Sequence, residues 1–262
     1  MNSEIIGTVV ETRQGVFCVD AEDQFVSKAL IEQGAYGLGD ITRIEGFLHP
    51  SSKILLVGAH IGSLLVPLSK RVGSIVGIEA NPRTFRRLRL NVLMNQCHNV
   101  HLFNFAASDS AGVIEFVMNK TNSGASKRMP LIKSDICFQD QPEITRVPSV
   151  ALDELLPHEQ FDLVFMDIEG SELFAMRGMP RILAAAKVVV AEFYPFMVRE
   201  VADTGVKEFL EPLKDFNTLV IPTLRKAVHK EDFHAALQDM FDKMQCDDGL
   251  MFLKERAPVR FA

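Results

Sequence analysis

Short, almost wholly apolar runs alternate with amphipathic segments along most of the chain from residue 53 onward. The runs KILLVG, SIVGIE, FDLVFMD and KVVVAEF have the composition of strands that are buried on both faces of a parallel sheet. In the segments between such runs, apolar positions recur at helical spacing, which predicts helices that cover the sheet. The alternation therefore predicts an α/β fold, in which ligands bind at the carboxyl ends of the strands.

The same pattern sets the limits of the individual elements. Before residue 53 it predicts a small hairpin, over residues 5–10 and 15–19, and a helix over 21–34 that ends at Gly34. Further strands are predicted over residues 53–58, 74–79, 99–106, 113–118, 161–167, 187–193, 217–221 and 249–254, and further helices over 63–71, 82–95, 171–179, 206–213 and 231–244. No repeat or Gly/Ser linker marks a boundary, so we expect an N-terminal elaboration of hairpin and helix, residues 1–45, packed on a core domain of residues 46–262.

Composition and charge narrow the range of functions. Hydrophobic residues make up 47% of the 262 positions, which is enough for a sizeable core, and the net charge is −6. Binders of nucleic acid or of acidic membranes rely on an excess of Lys and Arg, so neither partner is expected. The N-terminus has no basic start followed by an apolar stretch, and no apolar run reaches the roughly 18 residues of a spanning helix. We therefore expect a cytoplasmic protein.

The four cysteines exclude two further chemistries. Cys18, Cys97, Cys137 and Cys246 lie far apart, with no CxxC pair and no histidine at zinc-finger spacing. They are interpreted as reduced thiols. Neither a structural zinc site nor a cysteine nucleophile is expected, because the first needs clustered ligands and the second needs a neighbouring base.

The stretch LLVGAHIG carries the first sign of a binding site. Gly58 and Gly62 bracket a predicted strand-to-helix turn, where glycine permits close approach of the backbone and the first N–H groups of the helix are free to bind a ligand. The spacing is GxxxG and not the GxGxxG of dinucleotide folds, so a pyrophosphate is not the favoured ligand. Glu79 ends the next strand, where a carboxylate can accept both hydroxyls of a ribose. Together they predict a nucleoside cofactor.

Several segments in sequence then resemble one family. They are LLVGAHIG, GIEANPRTFRRLRLNVLMN, AASDSAGVIEF, SVALDELLPHEQFDLVFMDIEGSELFAMRGM and VVVAEF, which are similar to segments of the FkbM family of S-adenosylmethionine-dependent methyltransferases. The resemblance covers roughly residues 25–255, and DIEGSE is its most specific part. It implies a Rossmann-like class I methyltransferase sheet of seven strands, the last antiparallel, with helices on both faces. It also implies O-methylation of a hydroxyl on a sugar, a polyketide or a related small metabolite.

The resemblance also implies which residues bind S-adenosylmethionine. The expected residues are Gly58, Ala59, His60 and Gly62 at the methionine part, Glu79 at the ribose with Ala80 and Asn81 around it, Ala107 and Ser108 at the adenine, and Asp167 beside the methyl group. Two positions depart from the family pattern. Leu56 stands where an Asp is usual and His60 where an Asn is usual, and loss of the Asp removes an acid that helps to orient the charged end of the cofactor.

Asp167 and Glu169 are the first candidates for catalysis. They leave the carboxyl end of a predicted strand, and a carboxylate there can take the proton from an acceptor hydroxyl during methyl transfer. The alternative is that both acids cap the following helix. His60 is a third candidate base, since imidazole titrates near neutral pH, and Glu192 is a candidate for the wall of the acceptor pocket.

A metal is not expected. Asp167 and Glu192 occupy positions at which catechol-type methyltransferases place carboxylates on Mg²⁺, but the adjacent Asp-Asn pair that would complete such a site is replaced by AEFYP. The irregular segment 119–146 contains Lys127, Arg128 and Lys133. It is interpreted as a lid over the acceptor pocket that favours an anionic acceptor, with a solvated loop as the alternative.

Three other functions remain open at this point. Arg83, Arg86, Arg87 and Arg89 could contact phosphates in a nucleic-acid methyltransferase, although DIEG replaces the motif that holds a flipped base. Leu56 would suit a cofactor-binding protein that has lost catalysis on the same fold. A nicotinamide dehydrogenase is disfavoured by the missing GxGxxG. The oligomeric state is not predicted.

Overall fold

The computed structural model describes residues 5–134, 138 and 140–256, so Cys137 lies outside the described residues. The strands in chain order are β1 (Thr8–Thr12), β2 (Gly15–Val19), β3 (Lys53–Val57), β4 (Ser74–Ile78), β5 (Val100–Phe103), β6 (Ala106–Ala107), β7 (Gly112–Met118), β8 (Lys127–Arg128), β9 (Glu143–Val150), β10 (Leu163–Met166), β11 (Val188–Phe193), β12 (Thr218–Ile221), β13 (Lys226–His229) and β14 (Asp247–Leu253). The helices are α1 (Val26–Gln33), α2 (Leu38–Glu45), α3 (Leu65–Ser69), α4 (Pro82–Met94), α5 (Leu152–Leu155), α6 (Glu172–Arg177), α7 (Pro180–Ala185), α8 (Pro195–Ala202), α9 (Val206–Leu210) and α10 (Phe233–Asp242).

The central sheet has eight strands in the order β13-β12-β14-β11-β10-β3-β4-β5. Strands β3, β4, β5, β10 and β11 are parallel, and β14 runs antiparallel between β11 and β12. The predicted Rossmann-like sheet with an antiparallel last strand is therefore confirmed, and β13 adds an eighth strand at the edge. The chain order reverses between the neighbours β3 and β10, which is the switch point where ligands bind in such sheets.

Strand β3 shows why an unbroken apolar run forms a central strand. Leu55 and Val57 are buried in a core on one face of the sheet, and Ile54 and Leu56 are buried in a second core on the other face. Because alternate residues of a strand point to opposite faces, a strand that is covered on both sides must be apolar at every position. Helices accordingly cover both faces, as predicted.

The N-terminal segment packs on the second core. Strands β1 and β2 form the predicted antiparallel hairpin, and α1 ends at Gly34, which adopts the left-handed conformation that favours glycine. Side chains of α4 fix the hairpin: Asn91 Oδ1 accepts a hydrogen bond of 2.6 Å from the N–H of Cys18, and Asn95 Oδ1 accepts one of 2.9 Å from Val16. This anchoring holds α1 and α2 beside the switch point.

The segment between β5 and β10 forms a second sheet, in the order β6-β9-β7-β8. Strand β7 was predicted, but β8 and the first half of β9, residues 143–146, fall within the region predicted to be irregular. In β9, EITRVPSV alternates exposed and buried positions toward its end, and Pro148 conceals the strand signal because proline is rare inside sheets. Helix α3 is shorter than predicted and contains Pro67 in its first turn, where no backbone N–H is needed.

Candidate active site

The loop between β3 and α3 forms one side of the switch point. Gly58 and Gly62 have φ of +88° and +91°, a region that favours glycine. A Cβ on Gly58 would lie 1.9 Å from the carbonyl oxygen of Asp167. Glycine at 58 is therefore needed for the loop to pass against the end of β10, so this residue determines how closely the loop approaches Asp167.

Glu79 follows β4 and supports the same loop. Its carboxylate is 7% exposed and accepts hydrogen bonds of 2.8 Å from the N–H of His60 and 2.7 Å from the N–H of Asn81. Burial raises the pKa of Glu79 to about 7, and the backbone hydrogen bonds oppose that rise. Each carboxylate oxygen has a second lone pair, so Glu79 can support the loop and still accept ribose hydroxyls.

A cavity of about 440 Å³ opens at the carboxyl ends of β3, β4, β10 and β11. Six acids line it, namely Asp40, Glu79, Asp167, Glu169, Glu192 and Asp248. Among the described lining residues, Arg128 is the one side chain with a permanent positive charge. Where these acids are ionised, the wall attracts cationic groups and repels anionic ones.

Asp167, Glu169 and Glu192 form a cluster within that wall. One carboxylate oxygen from each lies within 4.8 Å of the others. Asp167 is deep in the molecule, yet its side chain is exposed because it faces the open cavity. Burial and the nearby charge of Glu169 hold the pKa of Asp167 well above its usual range, and burial raises that of Glu169.

Glu192 is the most buried member of the cluster. Its side chain is 6% exposed, and its Oε2 is buried without a hydrogen-bond partner. Burial, together with the charges of Glu169 and Asp167, raises the pKa of Glu192 well above its ordinary value. The hydroxyl of Ser171, which also lines the cavity, is likewise buried without a partner. Two polar groups at this wall therefore lack the hydrogen bonds that buried polar groups normally make.

The turn after β10 is held in a strained conformation. Glu169 has φ of +55°, and Gly170 has φ of +89° with no room for a Cβ, which would lie 2.8 Å from the carbonyl oxygen of Met197. Glu172 accepts a hydrogen bond of 2.9 Å from the N–H of Ile168, and burial raises its pKa to about 7. Capping of the following helix was the alternative role for Asp167 and Glu169. Glu172 makes this contact at the start of the helix instead, and the carboxylates of Asp167 and Glu169 line the cavity.

His60 is connected to two other segments of the chain. Its Nε2 lies 2.8 Å from the hydroxyl oxygen of Ser123, and that hydroxyl donates to Asp23. Because the serine proton is directed to Asp23, Nε2 of a neutral His60 must carry the ring proton, which leaves Nδ1 as an acceptor. Burial lowers the pKa of His60 to about 4, so the ring is neutral near pH 7.

The structure brings most of the predicted site residues to one cavity. Those that line it are Gly58, Ala59, His60, Glu79, Ala80, Ala107, Asp167 and Glu169, together with Glu192. Gly62, Asn81 and Ser108 do not line it. Asn81 caps α4 by accepting from the N–H groups of Arg83 and Thr84, and the Ser108 hydroxyl accepts a hydrogen bond of 3.0 Å from Arg128.

Other lining residues come from segments with no recognisable motif. Tyr36 and Asp40 enter from α2 and the turn before it, and Tyr194 donates a hydrogen bond of 2.6 Å to Asp248 at the start of β14. Burial raises the pKa of Asp40, which lies 3.3 Å from Arg43. Only two features of the sequence could have indicated these residues: Asp248 stands at the end of a strand, and the aromatic residue Tyr194 follows β11.

Part of the segment predicted to be a lid does line the cavity. Asn122, Ser123, Gly124, Ala125, Ser126 and Arg128 contribute to the wall. Its basic residues do not make the wall positive: the Lys127 ammonium donates to the carbonyl of Ala125, Lys133 is exposed, and Arg128 stacks 4.0 Å from the centre of the Phe174 ring. The acids of the wall outnumber its basic residues, so the wall gives no support to the expected preference for an anionic acceptor, which stays a prediction.

The arginines of α4 are partly engaged in ion pairs. Arg83 lies 2.7 Å from Glu143 and Arg87 lies 2.6 Å from Asp20.

Within the described part of the chain, no helix combines the length and the hydropathy that crossing a membrane requires.

Comparisons with known proteins agree with this geometry. A family model described as the methyltransferase FkbM domain matches residues 57–244. No curated protein matches the sequence significantly.

Several solved structures are similar to the chain at low identity. A TehB-like SAM-dependent methyltransferase from Corynebacterium glutamicum has 13% identity and a TM-score of 0.47, covering 87% of this chain and 94% of that one. Precorrin-6y C5,15-methyltransferase from Geobacter metallireducens has 16% identity and a TM-score of 0.42, covering 77% and 82%. TYW2 from M. jannaschii, solved in complex with AdoMet, has 13% identity and a TM-score of 0.38, covering 74% and 65%. Similarity at this level carries no information about the methyl acceptor.

Proposed function

Since the chain belongs to the FkbM family of S-adenosylmethionine-dependent methyltransferases, we propose that it methylates a hydroxyl oxygen of a small metabolite, such as a sugar or a polyketide. One observation carries the proposal. The glycine loop, Glu79 and the carboxylates of Asp167 and Glu169 face a single cavity at the switch point of the sheet. Cofactor binding and proton removal can therefore take place side by side.

The cavity suits S-adenosylmethionine in charge and in donor chemistry. The cofactor carries a sulfonium and an ammonium, and the acidic wall provides counter-charges for both. Glu79 has lone pairs free for the ribose hydroxyls. Leu56, which replaces the usual acid, is buried and lines the cavity without closing it, and Asp40 of α2 supplies a carboxylate to the same wall. When bound, the cofactor supplies a methyl group on positively charged sulfur.

We propose Glu169 as the group that receives the acceptor proton. A hydroxyl is a weak nucleophile and needs a base within hydrogen-bond reach as its oxygen attacks. A base is most effective when its pKa is near the working pH, and burial moves the pKa of Glu169 upward in that direction. Asp167, on the same wall, would orient the hydroxyl. His60 is the second candidate because it lines the same cavity, but burial lowers its pKa to about 4, which makes it the weaker base.

The charge of the wall also limits the acceptor. Phosphates and carboxylates would be repelled by those of the six acids that are ionised, so the proposed acceptor is neutral or positively charged near the reacting hydroxyl. The same repulsion disfavours a nucleic-acid acceptor, whose backbone carries a phosphate at every nucleotide.

The test combines cofactor binding with methyl transfer. Calorimetry should show one binding site for S-adenosylmethionine, and tritium from the labelled methyl group should pass to neutral polyhydroxylated acceptors in a panel that also contains amines and RNA. Asp167→Asn and Glu169→Gln should each slow the transfer by roughly a hundredfold or more, because they remove the orienting and proton-accepting groups.

Glu154→Gln provides the matched control, since this glutamate is exposed on α5 away from the cavity and its loss should leave the rate unchanged. Absence of cofactor binding, or methylation confined to nitrogen acceptors or RNA, would overturn the proposal. Full activity of both site variants would remove Asp167 and Glu169 from proton removal and leave His60 as the base.

A further inference from the structure

The carboxylate cluster has the dimensions of a single-ion site. One oxygen each from Asp167, Glu169 and Glu192 lies within 4.8 Å of the other two. Oxygen ligands lie about 2.1 Å from Mg²⁺ and about 2.4 Å from Ca²⁺, so ligands on opposite sides of such ions are roughly 4.2 to 4.8 Å apart. One cation can therefore contact all three carboxylates with little movement of the side chains.

A second observation points to a missing ligand at the same place. Glu192 is more than nine-tenths buried, lines the cavity, and has an Oε2 that no donor reaches. Leaving a buried carboxylate oxygen without a partner costs free energy, so such groups are normally paired or bound to a metal. The unpartnered Ser171 hydroxyl on the same wall adds a neutral oxygen close to the cluster in sequence and in the cavity.

The charge of the cavity supports the same conclusion. S-adenosylmethionine has a net charge of about +1 near neutral pH, from its sulfonium, ammonium and carboxylate groups. Together with Arg128 it supplies about two positive charges to a cavity lined by six carboxyl groups, and a bound divalent cation would favour the ionised form of the carboxyls that hold it. Among the described residues, no lysine or arginine forms a salt bridge with Asp167, Glu169 or Glu192. Burial raises the pKa of Glu169 more than the charge of the buried Lys127 lowers it, so Lys127 compensates this cluster only in part. A divalent cation would compensate the charge that the protein and the cofactor leave.

We propose that Asp167, Glu169 and Glu192 together bind one divalent cation of the kind that prefers oxygen ligands, such as Mg²⁺ or Mn²⁺. Carboxylate ligands suit these ions, and no cysteine or histidine is in the cluster to favour zinc. The sequence argued against a metal because no Asp-Asn pair follows β11. In the structure, Glu169 reaches the cluster from the turn after β10 and supplies the third carboxylate.

The use of this cation in the reaction rests on the proposed function. Three protein ligands leave coordination positions open for water or for an acceptor hydroxyl. A hydroxyl bound to the cation would have a lower pKa and would lose its proton more easily to a neighbouring base.

The experiment measures binding of the cation itself, in the absence of cofactor. Purified full-length protein is treated with a chelator, dialysed and titrated with Mn²⁺, and free Mn²⁺ is followed by electron paramagnetic resonance. We expect one site per chain, displaced by excess Mg²⁺. Glu192→Gln and Asp167→Asn should weaken the affinity at least roughly tenfold, and the exposed control Glu154→Gln should leave it unchanged.

Melting temperatures establish that the variants are folded. Glu192→Gln keeps the volume of the side chain and removes a buried carboxylate that has no donor, so the metal-free variant should melt no lower than the metal-free wild type. Mn²⁺ should raise the melting temperature of the wild type and not that of Glu192→Gln, because binding only to the folded state stabilises it.

The outcomes separate the cation site from the proposed function. Absence of saturable Mn²⁺ binding at millimolar concentration, or equal binding by the wild type and Glu192→Gln, would overturn the cation site whatever the activity. Site-dependent Mn²⁺ binding by a protein that methylates no hydroxyl acceptor would support the cation site and overturn O-methylation.

Discussion

At the scale of single residues, the same chemical group performs different tasks according to its surroundings. Glu79 and Glu192 are both buried carboxylates at strand ends. Glu79 accepts two backbone hydrogen bonds and so holds the loop around His60, whereas the Oε2 of Glu192 has no protein partner. The protein alone supplies hydrogen-bond donors to Glu79, whereas Glu192 requires a partner from outside the protein.

Replacing Glu79 by glutamine tests its contact with the cofactor. The amide NH₂ would face one of the two backbone N–H donors, so the side chain could no longer accept hydrogen bonds from both. One contact with the ribose would also be lost. We expect the affinity for S-adenosylmethionine to fall by roughly 1 to 3 kcal/mol, measured by calorimetry. Glu154→Gln should bind like the wild type. If Glu79→Gln bound the cofactor with unchanged affinity, Glu79 would be a structural residue only.

At the scale of elements, the site depends on how the β3–α3 loop passes against the end of β10. The two segments touch where Gly58 meets the backbone of Asp167, and the N–H groups of Gly58 and Ala59 both donate to the carbonyl of Ile78 at the end of β4. Three strand ends are thereby held together, and the carboxylate of Asp167 is held in position through its own main chain.

Gly58→Ala should disturb this junction. The added methyl would lie 1.9 Å from the Asp167 carbonyl oxygen, and φ of +88° is unfavourable for alanine. We expect a loss of roughly 3 kcal/mol or more in the free energy of unfolding, together with loss of cofactor binding. Denaturant unfolding measures the first quantity.

Gly39→Ala is the matched control for that experiment. Gly39 lies in α2 and a Cβ there would meet nothing within 4 Å. Alanine is the better helix former, so the protein should be unchanged or more stable by up to about 1 kcal/mol. Equal stability of the two variants would show that the β3–α3 loop can move away from Asp167.

The sequence predicted the parts of this arrangement that leave a local signal. Buried strands such as β3 and β11 are apolar except for Lys53 and Glu192, and Glu79 and Asp167 stand at strand ends, so both features could be recognised without a structure. Tyr36 and Asp40 reach the cavity only because distant segments pack together. No spacing in the sequence indicates that such segments come together. Strand β9 was missed for a similar reason: the rule that proline is rare in strands is local, and it takes no account of stabilisation by neighbouring strands.

At the scale of the whole molecule, the concentration of acids at one end of the sheet affects stability. A group whose pKa is raised by folding keeps its proton in the folded state at a pH where the unfolded chain has released it. Glu79 and Glu172, whose pKa values rise to about 7, and Asp167 and Glu192 all act in this direction. His60, with its pKa lowered to about 4, acts in the opposite direction below about pH 6.5.

The balance predicts a metal-free protein that loses stability as the pH rises from 5 to 8. A shift from 4.5 to about 7 corresponds to on the order of 3 kcal/mol for each glutamate so affected. Calorimetric melting in chelator should therefore give a melting temperature that falls over this range. Glu172→Gln, which can still accept from the N–H of Ile168, should reduce the fall. A melting temperature that rises toward pH 8 would contradict the assigned pKa shifts.

The link from His60 through Ser123 to Asp23 joins the family segment, residues 57–244, to a part of the chain that precedes it. Tyr36 and Asp40 also lie before that segment, and Asp248 lies after it. Residues on both sides of the family segment thus complete the wall of the cavity. A fragment trimmed to residues 57–244 would therefore lack the part of the cavity wall that Tyr36, Asp40 and Asp248 supply.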